Sequence, residues 1–382
     1  MSKKKQNKSK KKKVLKNEPI IDSKKSTLNL KQLTLIFLLS RVLVLLFIIL
    51  KHDYSIFEYF DSEHYLNMAR SGYTEPLLYA FFPLYPVLIK IFTFIIPSYQ
   101  ISGFLISNIA SFLSLLILHD MTKEKDNLWI LLCFVFTPIL GYTSLLYTES
   151  LYILFTLLGY YLYKKDKYIL SSIIVGLSIL TRNSGIILWG AIGLDMLFRL
   201  FTKKDNPIKF KNIVIFGIIS LAIGMIYPLY LYEETGDLLK FISVQPDYWY
   251  KASGTPLDNF LSDIIVLKRD SAALPMNIII FLQNWIFFIY SFIIGIKIFK
   301  KDKTASIYIL VSLIAFTTTY RDVTYWQTLA SISLFRYVLG LFPIYLYLLD
   351  NKKENNKRII FLIFMLLSIF NAIIIYTGGF MG

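Results

Sequence analysis

Cysteine is almost missing from this chain: Cys133 is the only one in 382 residues, and it lies inside an apolar run. Disulfide frameworks, Cys-based zinc sites and thiol chemistry are therefore unsupported. Histidine is scarce too, with three in the whole chain, and no zinc-protease His pair is among them. There is no phosphate-cradling P-loop, no dinucleotide glycine pattern after a strand and no Gly-x-Ser-x-Gly elbow. Without a nucleotide site, an enzyme of this sequence must draw its energy from a substrate already activated, or do no chemistry. Negative charge is also short. The chain has 25 acidic against 41 basic residues, a net +16.

What is present is apolar. The chain is 55% hydrophobic and 16% aromatic, with a mean hydropathy of +0.56. Runs long enough to cross a hydrocarbon core of about 30 Å recur from residue 33 to residue 377. The composition reads as an all-α polytopic membrane protein. Most of the net charge sits before the first run, because residues 1–31 hold twelve Lys against Glu18 and Asp22. This low-complexity tail reads as a disordered cytoplasmic topology determinant that also touches anionic lipid. No cleavable signal is evident, since the first apolar run is long and lacks a small-residue cleavage site at its end. Residues 32–382 read as one domain.

Lys and Arg mark cytoplasmic loops. Basic clusters fall at 119–127, 164–167, 199–211, 297–303 and 351–358, whereas 51–77, 141–149, 233–276 and 320–333 are mixed or acidic and rich in aromatics. The alternation predicts a cytoplasmic N-terminus, long external loops at 51–77 and 233–276, and an external C-terminus. It yields about eleven spans: 33–50, 101–118, 128–143, 145–163, 168–181, 186–201, 212–232, 277–297, 304–319, 334–349 and 359–377. Residues 78–97 are apolar enough to cross, but crossing would put the Lys-bearing 119–127 loop outside. Pro83 and Pro86 break that segment, so it is expected to be re-entrant, which requires burial in protein or a cavity wall. "TRNSG" in the middle of 168–201 predicts a hairpin tip between two short spans.

Four constellations could carry chemistry. In "IFEYFDSEHYLNMARSGY" (56–73), Ile56, Phe57, Phe60 and Leu66 can share one helical face, with Asp61, His64 and Tyr65 at i, i+3 and i+4 beside it. This predicts an amphipathic external helix on the membrane surface, either as an anchor or with Asp61 as a general base or metal ligand. In "AFFPLYP" (80–86), Phe81, Phe82 and Tyr85 fit a kinked aromatic belt or a sugar-stacking surface. In "SLLYTESLY" (144–152), Glu149 is either a functional carboxylate at membrane depth or a first-turn residue behind a Thr148 cap. In "ILTRNSGIILW" (179–189), Arg182 needs an anion, which Glu149 or a ligand phosphate could supply. "SVQPDYWYKASGTP" (243–256), "TYRDVTYW" (319–326) and "LFRYVLGLFPIY" (334–345) fit loop anchoring as readily as a site. The two carboxylates and one His of 61–64 could bind a divalent cation, and no other cofactor is indicated.

Taken in order, "FDSEHYLNMARSGY", "AFFPLYP", "LLYTESLY", "LTRNSG", "VQPDYWYKASGTP" and "FRYVLGLFPIY" resemble the PIG-V type mannosyltransferases of the GT-C superfamily of integral membrane glycosyltransferases. The resemblance covers most of residues 57–345. It implies a GT-C-like bundle and a lipid-phosphate sugar as donor. It makes Asp61 the catalytic carboxylate, with Phe60 standing where the family has Trp. His64, Glu149, Arg182, Gln245, Trp249, Lys251 and Arg336 fall on the family's substrate-binding positions, Lys251 where the family often has Arg. Gly185 and Pro343 also match, and Asn183 and Ser184 stand in swapped order.

The expected reaction moves a hexose, mannose first among candidates, from a polyprenyl-phosphate donor to an acceptor hydroxyl at the outer membrane face. Asp61 would take the proton, Arg182 with Lys251 or Arg336 would hold the phosphate, and one displacement would invert the anomeric centre. The Lys- and Ile-rich sequence looks prokaryotic, which predicts a multi-pass protein of the cell membrane. Its acceptor would be a lipid, glycan or protein, and no nucleic acid is expected. The principal alternative is a lipid-linked sugar flippase or permease without catalysis, although such transporters usually show paired pseudo-repeats. A polymer ligase is a further one.

Overall fold

A computed structural model describes residues 28–51, 57–123, 127–202, 208–269, 273–325, 328–350 and 352–376. The basic tail expected over 1–31 therefore lies outside the described residues as far as residue 27. The described chain is mostly helical, at 77%. Helix α1 (Leu30–Lys51) is followed by α2 (Asp61–Ser71), a 3-10 turn (Pro76–Ala80), α3 (Leu84–Phe92) and α4 (Tyr99–Thr122). Next come α5 (Leu128–Val135), α6 (Leu140–Ser144), α7 (Glu149–Lys164), α8 (Tyr168–Thr181) and α9 (Gly185–Thr202). The second half contains α10 (Phe210–Gly224), α11 (Ile226–Thr235), α12 (Lys240–Trp249), strand β1 (Lys251–Ser253) and α13 (Pro256–Leu267). It closes with α14 (Leu274–Ile298), α15 (Lys303–Thr318), strand β2 (Thr319–Arg321), α16 (Leu334–Leu339), α17 (Pro343–Tyr347) and α18 (Glu354–Tyr376).

Five helices among the described residues are long and apolar enough to cross a membrane: Tyr99–Thr122, Gly185–Thr202, Phe210–Thr235, Leu274–Ile298 and Glu354–Ile375. The protein is a multi-pass integral membrane protein. The expected spans 128–143 and 334–349 are not continuous helices. Each is broken into two short pieces, α5 with α6 and α16 with α17, by Thr137-Pro138 and by Gly340 to Phe342. Every residue from Thr137 to Leu154 is buried, so this irregular backbone is enclosed by protein. That is the condition under which it is tolerated at membrane depth. The span expected from residue 145 likewise becomes helical only at Glu149.

Segment 78–97 holds no long helix. Its α3 has nine residues, about 14 Å of rise, less than half a hydrocarbon core. At 168–201 the chain does turn at "RNS". An added Cβ at Gly185 would sit 2.6 Å from Ile179 N and Ser178 C, so only glycine allows α9 to leave α8 this closely. The helix expected over 56–73 forms only from Asp61, which leaves Phe57 and Phe60 ahead of it; Ile56 lies outside the described residues. Tyr65, Leu66, Met68 and Ala69 are buried, and α2 packs on α3 and α4 while Glu63 and Arg70 stay exposed.

The core is organised around α7, which is buried nearly all round by α4, α8 and α9. Its two ends differ in chemistry. Glu149 opens it, and Lys164 closes it roughly 22 Å away along the axis. At the far end Lys164 donates to Asp302 at 3.1 Å, and Tyr160 and Tyr347 donate to the same carboxylate. Arg199 pairs with Asp166 at 3.3 Å, and Lys301 with Asp350 at 2.7 Å. The basic loops are thus gathered at one end of the bundle and the aromatic, mixed-charge segments at the other.

Candidate active site

Local strain announces the site. Phe60, the residue before α2, has φ of 55°, a left-handed conformation that costs a bulky residue roughly 1–3 kcal/mol. It places Asp61 in the first turn of α2, where the helix N-terminus favours a carboxylate. Across the bundle, a buried bend over Leu145 to Thr148, in which Tyr147 N donates to the Leu145 carbonyl at 2.9 Å, delivers Glu149 to the first turn of α7. Thr148 makes no side-chain capping bond there, so capping does not explain that motif. Its hydroxyl instead accepts from Arg182 Nη1 at 3.3 Å and lies 3.4 Å from the Tyr65 hydroxyl.

These elements converge on a charged chain. Arg336 Nη2 donates to Asp61 Oδ2 at 2.9 Å, and Arg336 Nε donates to Glu149 Oε1 at 2.6 Å. Arg182 Nη1 donates to the same Glu149 oxygen at 2.6 Å. Glu149 and Arg336 are each 2% exposed, whereas the Asp61 side chain keeps 22% and Arg182 20%. The inner pair is sealed, and its two outer members reach solvent. The guanidiniums are also stacked on rings: Arg336 over Tyr142 at 4.5 Å and Tyr147 at 4.9 Å, Arg182 over Tyr337 at 4.9 Å. Such contacts partly replace water around a desolvated cation.

One turn after Asp61, His64 joins an aromatic group. Its ring lies 5.1 Å from Phe81 and 5.5 Å from Trp249, which are 5.3 Å apart from each other. Trp249 is pinned by its Nε1 donating to the Leu77 carbonyl at 3.2 Å. Beside these lies a two-stranded ribbon in which β1 and β2 run antiparallel with Lys251 opposite Arg321. Both cations act electrostatically on the cluster, Lys251 on Tyr337 and Arg321 on Tyr337 and Asp61.

Asp61, Glu149, Arg182 and Arg336, far apart in sequence, therefore meet in one bonded chain, with His64, Trp249 and Lys251 close by. Gln245 is not joined to it among the described residues: its amide donates to the Phe241 carbonyl, one turn back in its own helix. Pro343 is buried at the start of α17 and is structural. The divalent-cation arrangement at 61–64 does not form, since Glu63 is exposed and Asp61 is tied to Arg336. No other group of three His, Cys, Asp or Glu converges among the described residues. Sequence reasoning missed Arg321, Tyr337 and Tyr142. The available signal was an Arg inside "TYRDVTYW" and rings next to motif residues, too common a pattern to single out.

The arrangement offers a half-exposed carboxylate, an aromatic wall and a surplus of cations at one end of a membrane bundle. A family model described as Mannosyltransferase (PIG-V) matches residues 50–236, from the end of α1 to just past α11. No curated protein matches the chain. The matched stretch carries Asp61, His64, Glu149 and Arg182, and the geometry joins Trp249, Lys251 and Arg336 to it from beyond its end. The chain is an integral-membrane glycosyltransferase. Over that stretch the chain is similar to the PIG-V mannosyltransferases, the family its motifs resemble.

Proposed function

We propose that the protein transfers a hexose, mannose by preference, from a polyprenyl-phosphate donor to an acceptor hydroxyl at the outer face of a prokaryotic cell membrane. The observation that carries this is the hydrogen-bonded chain Asp61–Arg336–Glu149–Arg182. It fixes one accessible carboxylate against buried, already compensated cations, which is a preorganised setting for charge that develops during reaction.

Asp61 takes the proton of the acceptor hydroxyl as the new C1–O bond forms, and the C1–O bond to phosphate breaks with its electron pair leaving on the phosphate. A single displacement inverts the anomeric centre. Glu149, sealed from solvent, sets the two guanidiniums and does not attack carbon. The His64, Phe81 and Trp249 rings offer the flat apolar surface on which a sugar packs. Gln245, one turn before Trp249, offers its amide to sugar hydroxyls. The clustering of basic loops at the opposite end of α7 supports an external site and a cytoplasmic N-terminus.

The test is transfer from a radiolabelled polyprenyl-phosphate sugar by purified protein in lipid. Asp61→Asn should lower transfer by about 10²–10⁴-fold, the range for loss of a general base, while the protein remains inserted and folded. Transfer at the wild-type rate by Asp61→Asn would remove Asp61 from the mechanism. Transbilayer movement of the donor without transfer would favour a flippase.

A further inference from the structure

Helix α13 has its two faces reversed for a helix that meets water. Asn259 and Asp263, at i and i+4, are buried, while Leu257, Leu261 and Ile265, at i, i+4 and i+8, are 49% to 61% exposed. A helix on a water-facing surface turns its apolar stripe to the core and its polar stripe outward. In α13 the polar stripe is the one engaged with protein. Asn259 Nδ2 donates to the Thr317 carbonyl at 3.2 Å, and Asp263 accepts from Ser331 N at 3.0 Å and from Trp285 Nε1 at 2.8 Å. The exposed charges do not interrupt the apolar stripe. Asp258 caps the first turn with Thr255, on the side of the ribbon and Tyr320, and Lys268 comes after the last residue.

Polar groups turned inward and apolar groups turned outward are the pattern of membrane depth, and the neighbours of α13 place it there. The Phe260 ring lies 5.8 Å from Phe281 and 5.0 Å from Trp285, both on the membrane-spanning α14. Helix α14 has 25 residues, about 37 Å of rise against a hydrocarbon core of about 30 Å. Lys297, Lys300 and Lys301 mark where its far end leaves that core. Even with all the excess length placed at its first turns, Phe281 and Trp285 lie about 3 Å and about 9 Å inside the core. The exposed residues of α14 in those same turns are Ile278, Leu282 and Ile286, the outward stripe of a span. Leu261 and Leu282 each follow one of the two Phe rings that join the helices.

We infer that Leu257, Leu261 and Ile265 of α13 form a lipid-facing surface, seated against the acyl chains of the leaflet that adjoins the active site and continuous with the exposed stripe of α14. Stretch 256–267, expected within a long external loop, is then a helix embedded beside the spans without crossing, since its 12 residues rise about 18 Å. Its inner face carries Asp263, whose bonds to Ser331 fix the chain just ahead of α16 and Arg336. The wall of the site on this side is one helix thick and backed by lipid. This surface is independent of the transfer reaction and of the sugar that is moved.

The experiment places a nitroxide label at Leu261→Cys, and separately at Ile265→Cys, in full-length Cys133→Ala protein in phosphatidylcholine vesicles. It reads collisions of the label with oxygen, which concentrates among acyl chains, and with a water-soluble nickel chelate. Two positions are used, each on protein that elutes as the wild type does, so that one variant failing to insert does not decide the result. Leu282→Cys on α14 is the lipid reference, and Lys165→Cys, exposed in the turn after α7, is the water reference. The expected result is oxygen contact like that of Leu282→Cys, with nickel contact about tenfold or more below that of Lys165→Cys, because polar solutes are excluded from hydrocarbon. Nickel contact equal to that of Lys165→Cys would overturn the lipid surface and leave α13 in water. Contact with neither reagent would overturn it as well, and would put protein, such as a second copy of this chain, on the stripe.

Discussion

Glu149 is the residue on which the site's stability turns. One of its oxygens accepts from both Arg336 and Arg182 at 2.6 Å, at a depth where neither Glu149 nor Arg336 meets solvent. Removing one member of a buried ion pair leaves a charge without compensation and costs about 3–5 kcal/mol. Glu149→Gln should lower stability by that amount in a reversible denaturation assay, beyond any loss of activity; a stability within about 1 kcal/mol of wild type would mean that the guanidiniums find other anions. Gly185 is decided by sterics. Gly185→Ala would bring its Cβ against the backbone of Ser178 and Ile179, which cannot swing aside. An overpacking loss of about 1–3 kcal/mol is expected, read as a lowered unfolding temperature, with reduced transfer because Arg182 sits in the same turn. Asp61, Glu149 and Arg182 were legible because ionisable groups stand out against apolar sequence. Arg321 was not, because what distinguishes it is the strand partner Lys251, and no local pattern reveals which distant residue a short strand will face.

Among the elements, α13 bears on the site through an unexpected route. Its Asp263 is fully buried, and its oxygens accept from Ser331 N at 3.0 Å, the Ser331 hydroxyl at 2.5 Å and Trp285 Nε1 at 2.8 Å. Asn284 of α14 donates to the Ser331 carbonyl at 2.8 Å and accepts from Phe335 N at 2.8 Å, one residue before Arg336. The short α16 is thus moored to α13 and α14 by buried polar bonds. Burial pushes the Asp263 carboxyl above the usual carboxylate range. A carboxyl whose folded pKa exceeds its unfolded one holds more protons in the folded state, so its contribution to stability falls as pH rises from about 4 towards the folded value. Asp263→Asn should flatten that part of the stability profile, and a slope identical to wild type would assign it to another group. Helix α13 falls inside the stretch expected as a long loop, 233–276, and its start carries a capping box of Thr255 and Asp258 with Pro256 in the first turn. The breaks within 128–143 and 334–349 were not readable as breaks. Hydropathy reports whether a segment is buried, and protein burial and lipid burial look alike in composition. Pro138, Gly340 and Pro343 were the available hints.

For the whole molecule, the strongest statement is the separation of chemistry along the bundle. Lys164, Arg199 and Lys301 gather with their acids at one end, and the Asp61–Arg336–Glu149–Arg182 chain lies at the other. The charge pattern of the sequence anticipated this division, because loops of one sign recur at the spacing of membrane crossings. The α3 of segment 78–97 has nine helical residues, too few to cross by themselves as one helix, which fits the re-entrant expectation. A topology reporter inserted at residue 125 should therefore read cytoplasmic; an external reading would reverse the placement of the 119–127 loop and of the site with it. Such a reporter fixes the side of the membrane, while the reaction itself is tested by chemistry. The most direct measurement is transfer from a purified polyprenyl-phosphate mannose by wild-type protein and by Asp61→Asn in the same lipid. The account predicts a labelled product from the first and at least a hundredfold less from the second, and equal product from both would contradict it.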